Sequence, residues 1–394
     1  GVLKVAMEST GVYWIPLYEL LESRGFEVHL VDPRQLKRAP GRKTDLTDSQ
    51  WIQQLHTFGL LSGAFRPNEQ ICVLRAYVRQ RAMLVRYASH HVQHIHKALE
   101  QMNIKLNKVI SEVTGVTGMR IIHSILDGER DPKKLAALRH GQCKNDEKTI
   151  AKSLEGTWRQ EHLFSLRQAV ELHDTYQQKI TECDDTIEKY FGDLDDVGAR
   201  HETGKPASTA RRRNEPHFNA QIALHRMSGV DLTRIEGIDG NTALKIISEI
   251  GIDVSPWPSV KHFASWLSLC PGNNKTGGRQ RSGRTAPSAN RVATALRIAA
   301  RSLHHSKSAL GAFQRRIAAR KGNPKAITAT AHKLARMVFF MMKYGTEYVV
   351  KSQETYELKH KERQIKNLKR RATDLGFTLT QLPDWETLGG NAQN

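Results

Sequence analysis

Between Ile71 and Met102 the chain places a side chain of one kind at alternating steps of three and four residues. The positions are Ile71, Leu74, Val78, Arg81, Val85, Ala88, Val92, Ile95, Leu99 and Met102, and only Arg81 among them is polar. Such a run commits the stretch to one long helix whose narrow apolar stripe must be covered by another helix. The same alternation returns at Leu166, Ala169, His173, Tyr176, Ile180, Cys183, Ile187, Tyr190 and Leu194. An antiparallel hairpin within one chain and a seam between chains satisfy the pattern equally, so both stay open.

Ahead of the seam the period is different. Residues 2–8 read as a strand, about 13–24 as a helix, "FEVHLVDP" (26–33) as a second strand stopped by Pro33, and 45–61 as a second helix. Apolar strands alternating with helices indicate a parallel α/β layer. The opening "GVLKVAMEST" falls inside an apolar run, from which the chain is expected to begin in mid-domain, with earlier strands absent. Further on, 200–216 is polar, basic and proline-containing and reads as a linker. The expected organisation is an α/β domain at 1–66, the long helices at 67–199, the linker, a mainly helical domain at 217–350, and a basic tail at 351–394. Within that tail "KHKERQIKNLKRR" reads as a basic helix or a disordered arm, with a merely solvated face as the standing alternative.

Charge narrows the partners. Sixty Lys and Arg against forty Asp and Glu leave +20 at neutral pH. Such an excess attracts a polyanion over a long range. The longest apolar run, near "MVFFMM" (337–342), is too short to cross a bilayer, so nucleic acid is expected and a membrane is not. The four cysteines form no CxxC pair, which argues against a disulfide framework and a thiolate zinc site. No secretory signal is read at the start, and the expected setting is reduced and cytoplasmic.

Two stretches carry candidate chemistry. In "GRKTDLTDSQ" (41–50), Asp45 and Asp48 stand one helical turn apart, directly after Arg42 and Lys43. The plain reading is punctuation, with Thr44 as cap and acids complementing the positive helix end. The sharper reading adds Glu8, at the end of the first strand, where side chains of an open α/β sheet meet the functional crevice. Three carboxylates from a strand end and a helix start suit a hard cation such as Mg²⁺, which assists phosphoryl transfer. The second stretch, "CPGNNKTGGRQRSGRT" (270–285), sets Lys275, Thr276, Arg279, Arg281, Ser282 and Arg284 among glycines. Glycines let backbone approach a phosphate and the cations neutralise it. A hydroxyl there suits covalent attack on phosphorus, while a loop that only grips phosphate is the alternative.

Other motifs are weaker. "RIEGIDGNTALKIISEIG" (234–251) resembles a helix-hairpin-helix, but Glu236 and Asp239 weaken phosphate attraction, so DNA contact and plain packing are weighed equally. "WPSVKHFASWLSL" (257–269) reads as a core helix. In "SHHVQHIH" (89–96), His90 and His94 lie one turn apart without a completing ligand, which points to a solvated face. "SANRVATALRIAARSLHHS" (288–306) would pack one face and offer Arg291, Arg297 and Arg301 to phosphates.

"MESTGVYW" (7–14), "VDPRQLKRAPGRKTDLTDSQW" (31–51) and the 270–285 segment together resemble the DEDD transposases of the insertion sequence one-ten family, relatives of the Piv-type DNA invertases. The resemblance implies a RuvC-like, RNase H-type domain, a long coiled-coil hairpin and a smaller helical transposase domain. Its acidic, Mg²⁺-binding set falls on Glu8, Asp45 and Asp48, and its first aspartate has no counterpart here. Its nucleophilic serine, five residues past a proline and just before a glycine, falls on Thr276, with Ser282 as the substitute. It further implies a bacterial DNA transposase or site-specific recombinase guided by a structured bridge RNA, and an enzyme that acts on several DNA strands is expected to need more than one protomer, as a homo-oligomer (dimer or tetramer). The rivals are a RuvC-like nuclease or junction resolvase using water, and a truncated, non-catalytic nucleic-acid-binding relic.

Overall fold

The computed structural model describes residues 3–36, 45–194, 214–272, 274–277 and 279–380. The chain divides into two compact units, Gly1–Cys72 and Val73–Asn394.

In the first unit strand β1 (Lys4–Glu8) lies parallel to β2 (Glu27–Val31), in a register that pairs Lys4 with Glu27 and Glu8 with Val31. Parallel neighbours require a crossover, and α1 (Trp14–Ser23) supplies it and packs on β2. Helix α2 (Pro33–Leu36) follows β2, and α3 (Asp45–Thr57) packs on β1, ending four residues before the expected Leu61. The expected burial of the first strand is not met. No residue of β1 is fully buried, α1 buries no side chain, and in the sheet only Leu30 and Val31 are sealed from water. The reason is coverage: among the described residues the sheet has two strands, so β1 has a partner on one edge only. Two strands alone do not define an RNase H-type layer.

The second unit is helical and is organised by two 33-residue helices, α4 (Glu69–Gln101), which enters it at Val73, and α9 (Gln160–Gly192). Tyr77 meets Tyr190 at 6.0 Å between ring centroids, Arg81 meets Asp184, and His91 stacks on Tyr176 at 5.4 Å. Ile95 and Leu99 share a core cluster with Leu166 and Ala169. Numbers rise along one helix as they fall along the other, so the two seams close on each other as an antiparallel pair within one chain. Each fully buried leucine or isoleucine contributes about 1.5–3 kcal/mol. His90 and His94 are exposed, as expected of a solvated face.

The hairpin ends in a small helical cap that the periodicity did not announce. It contains α5 (Leu106–Val109), α6 (Val116–Leu126), α7 (Pro132–Ala137) and α8 (Glu147–Ser153). Ile121, Ile122, Ile125, Leu135 and Ile150 form its interior, continuous with the tops of the long helices. Asp131 and Asp146 cap α7 and α8 by accepting the Lys133 and Thr149 backbone N–H groups.

Downstream come α10 (Ala220–Ser228), α11 (Gly240–Ile250), α12 (Val260–Trp266), a hairpin of β3 (Asn274–Thr276) and β4 (Arg279–Ser282), then α13 (Arg291–Ser302), α14 (Ala309–Lys321), α15 (Asn323–Tyr344) and α16 (Thr346–Asp374). Helix α15 is the hub, touched by α12, α13, α14 and α16. Phe263 of α12 lies 5.6 Å from Phe339 of α15 and is fully buried, as expected of a core helix. The helix-hairpin-helix resemblance resolves towards packing. Asp239 caps α11 through the Thr242 N–H, Glu236 accepts from Ser306, and Gly237 abuts the Ala299 carbonyl. Most of the expected linker (200–213) and the last residues of the tail (381–394) lie outside the described residues. The basic "KHKERQIKNLKRR" stretch is helical, within α16.

Candidate active site

Glu8 closes β1, and its carboxylate accepts the Thr10 hydroxyl at 2.5 Å. Asp48 is half-buried on the first turn of α3, the helix that packs on β1. Asp45 begins that helix, but its side chain lies outside the described residues, as do Arg42 and Lys43 altogether. Among the described residues no group of three or more His, Cys, Asp or Glu side chains converges as a metal site. The donors are nevertheless of the right kind. Carboxylates at a strand end and on the first turn of a helix packed on that strand offer the oxygen ligands that a hard cation takes.

The second stretch is a hairpin rather than the loop expected from its glycines. Thr276 pairs with Arg279 across a two-residue turn, Lys275 with Gln280, and Asn274 with Ser282, with a register shift at Asn274/Lys275. Gly277 opens the turn at φ +56°, a left-handed conformation that a side chain would strain. At the base, the Gly272 N–H donates to the Arg284 carbonyl at 3.1 Å, and a Cβ on Gly272 would sit 2.6 Å from that oxygen. A glycine is required there for the two chain segments to meet.

This arrangement separates the two candidate hydroxyls. Thr276 is exposed at the hairpin tip, and residues paired directly across a ladder project from one face, so the Arg279 guanidinium shares its side. Ser282 stands at the opposite end of β4, where its hydroxyl accepts the Arg284 N–H at 3.1 Å. The side chains of Lys275 and Arg281 lie outside the described residues, and Arg284 is exposed. Burial pushes the Cys270 thiol up, so the sulfur at the head of the segment stays protonated at neutral pH.

Arg291, expected to meet phosphate, starts α13 with its Nε 3.7 Å from Glu249 Oε1. The same carboxylate takes both nitrogens of a fork from Arg79 at 2.8 and 2.7 Å, and Arg75 lies 3.5 Å away. One acid thus gathers three arginines from α4 and α13, a cluster that no spacing in the sequence joins. Lys245, one turn earlier on α11, has its pKa lowered by burial.

A strand-end acid beside an acid-led helix in one unit, and an arginine-flanked hydroxyl on a glycine turn in the other, are each of a kind that suits phosphate chemistry. Two family models match the chain: a DEDD transposase model, described as "Transposase", over residues 1–104, and "Transposase IS116/IS110/IS902 family" over residues 231–315. No curated protein matches the chain. The chain belongs to the IS110 family of transposases. Its partner as a transposase is DNA, and among the described residues no helix is long and apolar enough to cross a membrane.

Proposed function

We propose that the protein is a DNA recombinase that exchanges strands through a covalent threonine ester, with Thr276 as the nucleophile. The observation that carries this reading is the exposed Thr276 hydroxyl on the face of the hairpin tip shared with Arg279. Glycines around the turn let a DNA backbone approach, and Arg279 and Arg284 neutralise the phosphate charge that builds up during attack. The step balances without an external energy source. The Oγ1–P bond forms, the bond from phosphorus to the departing deoxyribose oxygen breaks, and the proton given up by the threonine hydroxyl is made good on that oxygen, which leaves as an alcohol. One phosphodiester replaces another.

Glu8 and Asp48, with Asp45, would hold Mg²⁺. When bound, the ion would lower the pKa of the attacking hydroxyl and stabilise the departing oxygen. Arg42, Lys43, Lys275, Arg281 and Arg291 would position the DNA backbone. The acidic residues and the hydroxyl belong to different units of the chain, so the reaction requires the two units to meet on DNA, within one protomer or between two protomers of a homo-oligomer. A structured bridge RNA and a bacterial cytoplasmic setting complete the reading.

Thr276→Ala is expected to abolish the protein–DNA adduct on a denaturing gel, whereas Ser282→Ala retains it. The reverse pattern moves the nucleophile to Ser282. Cleavage without any adduct selects a water-using nuclease, and full DNA affinity without Mg²⁺-dependent cleavage selects a non-catalytic relic.

A further inference from the structure

Between α15 and α16 lies a cavity of about 290 Å³, closed on one side by Glu236 and Leu310 and lined by neither candidate catalytic stretch. Its wall is aromatic and cationic. Phe340, Tyr344 and Tyr348 form a contiguous cluster, with Tyr344 and Tyr348 5.0 Å apart and each 53% exposed. Phe340 and Tyr348 line the cavity itself. Lys333 Nζ sits 4.0 Å over the Phe313 ring and 4.5 Å over Tyr356, whose hydroxyl it meets at 3.0 Å. Arg336 is exposed at the rim.

The two acids that line the same space are already engaged. Glu357 accepts the Ala309 N–H at 2.8 and 3.0 Å, and Glu236 accepts from Ser306. Lys333 and Arg336 make no ion pair among the described residues. The two carboxylates offset Lys333 and Arg336 in the lining, so what the cavity offers is its flat aromatic face, which suits a planar ring, while unoffset cations for an attached anion lie beyond it along α16. The volume is that of a small-ligand site.

The face of α16 that lines the cavity extends beyond it. Positions 352 and 356 continue at helical spacing into Arg363, Asn367 and Arg370, where the helix is exposed. At about 1.5 Å per residue, Arg363 and Arg370 lie roughly 10 and 20 Å past Tyr356. A single strand leaving the cavity would meet a cation at intervals of one or two nucleotides.

We propose that this cavity receives an unpaired base of single-stranded DNA, stacked on Tyr348, while the adjoining phosphates follow the arginine face of α16. Stacking on an aromatic ring is indifferent to sequence and is denied to a base held inside a duplex. DNA is the chosen strand because the chain belongs to a transposase family.

The test is fluorescence anisotropy of the full chain with labelled ten-residue oligothymidylate, in chelator, so that the outcome does not depend on strand cleavage. Tyr348→Ala is expected to weaken binding by about fivefold or more, the low end for losing one base stack, without altering the salt slope. Tyr348→Phe keeps the ring and restores affinity. Arg363→Ala with Arg370→Ala flattens the logarithmic salt slope by about 1.4. Duplex of equal length is expected to bind Tyr348→Ala as tightly as the unmodified chain. If circular dichroism finds Tyr348→Ala unfolded, Arg336→Ala tests the same site through weakened oligothymidylate binding. Unchanged oligothymidylate affinity, or an equal loss on duplex, overturns the proposal. A larger Tyr348 dependence for oligouridylate assigns the cavity to RNA and overturns the choice of DNA.

Discussion

Thr276 carries its hydroxyl on a β-branched carbon, so one methyl shares the space through which a phosphate must approach. That methyl restricts χ1 and crowds the line of attack. Thr276→Ser is therefore expected to speed adduct formation by between about two- and twelvefold, the rate equivalent of relieving ~0.5–1.5 kcal/mol of rotamer crowding. Single-turnover gels read this directly, and a slower serine variant would mean that the methyl orients the hydroxyl. The resemblance to the transposase family, whose serine position falls between Pro271 and Gly277, made Thr276 legible as the candidate. Its pairing with Arg279 was not legible, because the segment lacks the alternation of apolar residues that announces a strand. The acids divide the same way. Glu8 at a strand end and Asp48 on a first turn follow from pattern, whereas how closely carboxylates from separate elements approach is a property of packing.

Among elements, the long helices were the most legible part of the chain, since a stripe sustained from Ile71 to Met102 has no reading but helix. Their choice of partner was not legible. Both stripes carry interchangeable aliphatic and small residues, and nothing in such a list distinguishes a neighbour in the same chain from one in another. The distinction rests on polar detail. Arg81, the one cation in the first stripe, is buried and forked onto Asp184 of α9, its Nη2 3.2 Å from Oδ2. Asp184 lies beside Cys183, outside the second stripe, so pattern alone does not select it. The pair also secures the chain where it re-enters: Arg81 donates to the Asn214 carbonyl at 3.1 Å, and Asp184 accepts the His217 N–H at 3.2 Å. Asp184→Ala is expected to cost about 3–5 kcal/mol, because it strands a buried guanidinium. Arg81→Leu combined with Asp184→Leu is expected to cost less than either single change. Urea titrations of Asp184→Ala, of the two single leucine variants and of the double variant check this, and simple additivity would show the two groups to be independent.

At the level of the molecule, the excess of cations was read from composition and holds for the chain as a whole, since charge is counted without knowing the fold. It predicts duplex binding with a steep ionic-strength dependence. If the protein neutralises six or more phosphates, the slope of log K against log salt is expected to be steeper than about −5. Anisotropy titrations across salt measure it, and a slope near zero would assign affinity to contacts other than phosphates. The helical cap was hidden from the same overview, because its short helices expose few periods to a pattern search and draw their stability from the tops of α4 and α9.

The antiparallel course of α4 and α9 has a geometric consequence for that cap. A chain that goes out and comes back along one stalk can be lengthened or trimmed in matched seven-residue blocks, one from each arm, while every surviving layer keeps its partners. Each block shifts the tip by about 10 Å. Reach thereby becomes a quantity that insertions and deletions adjust without disturbing the layers that remain.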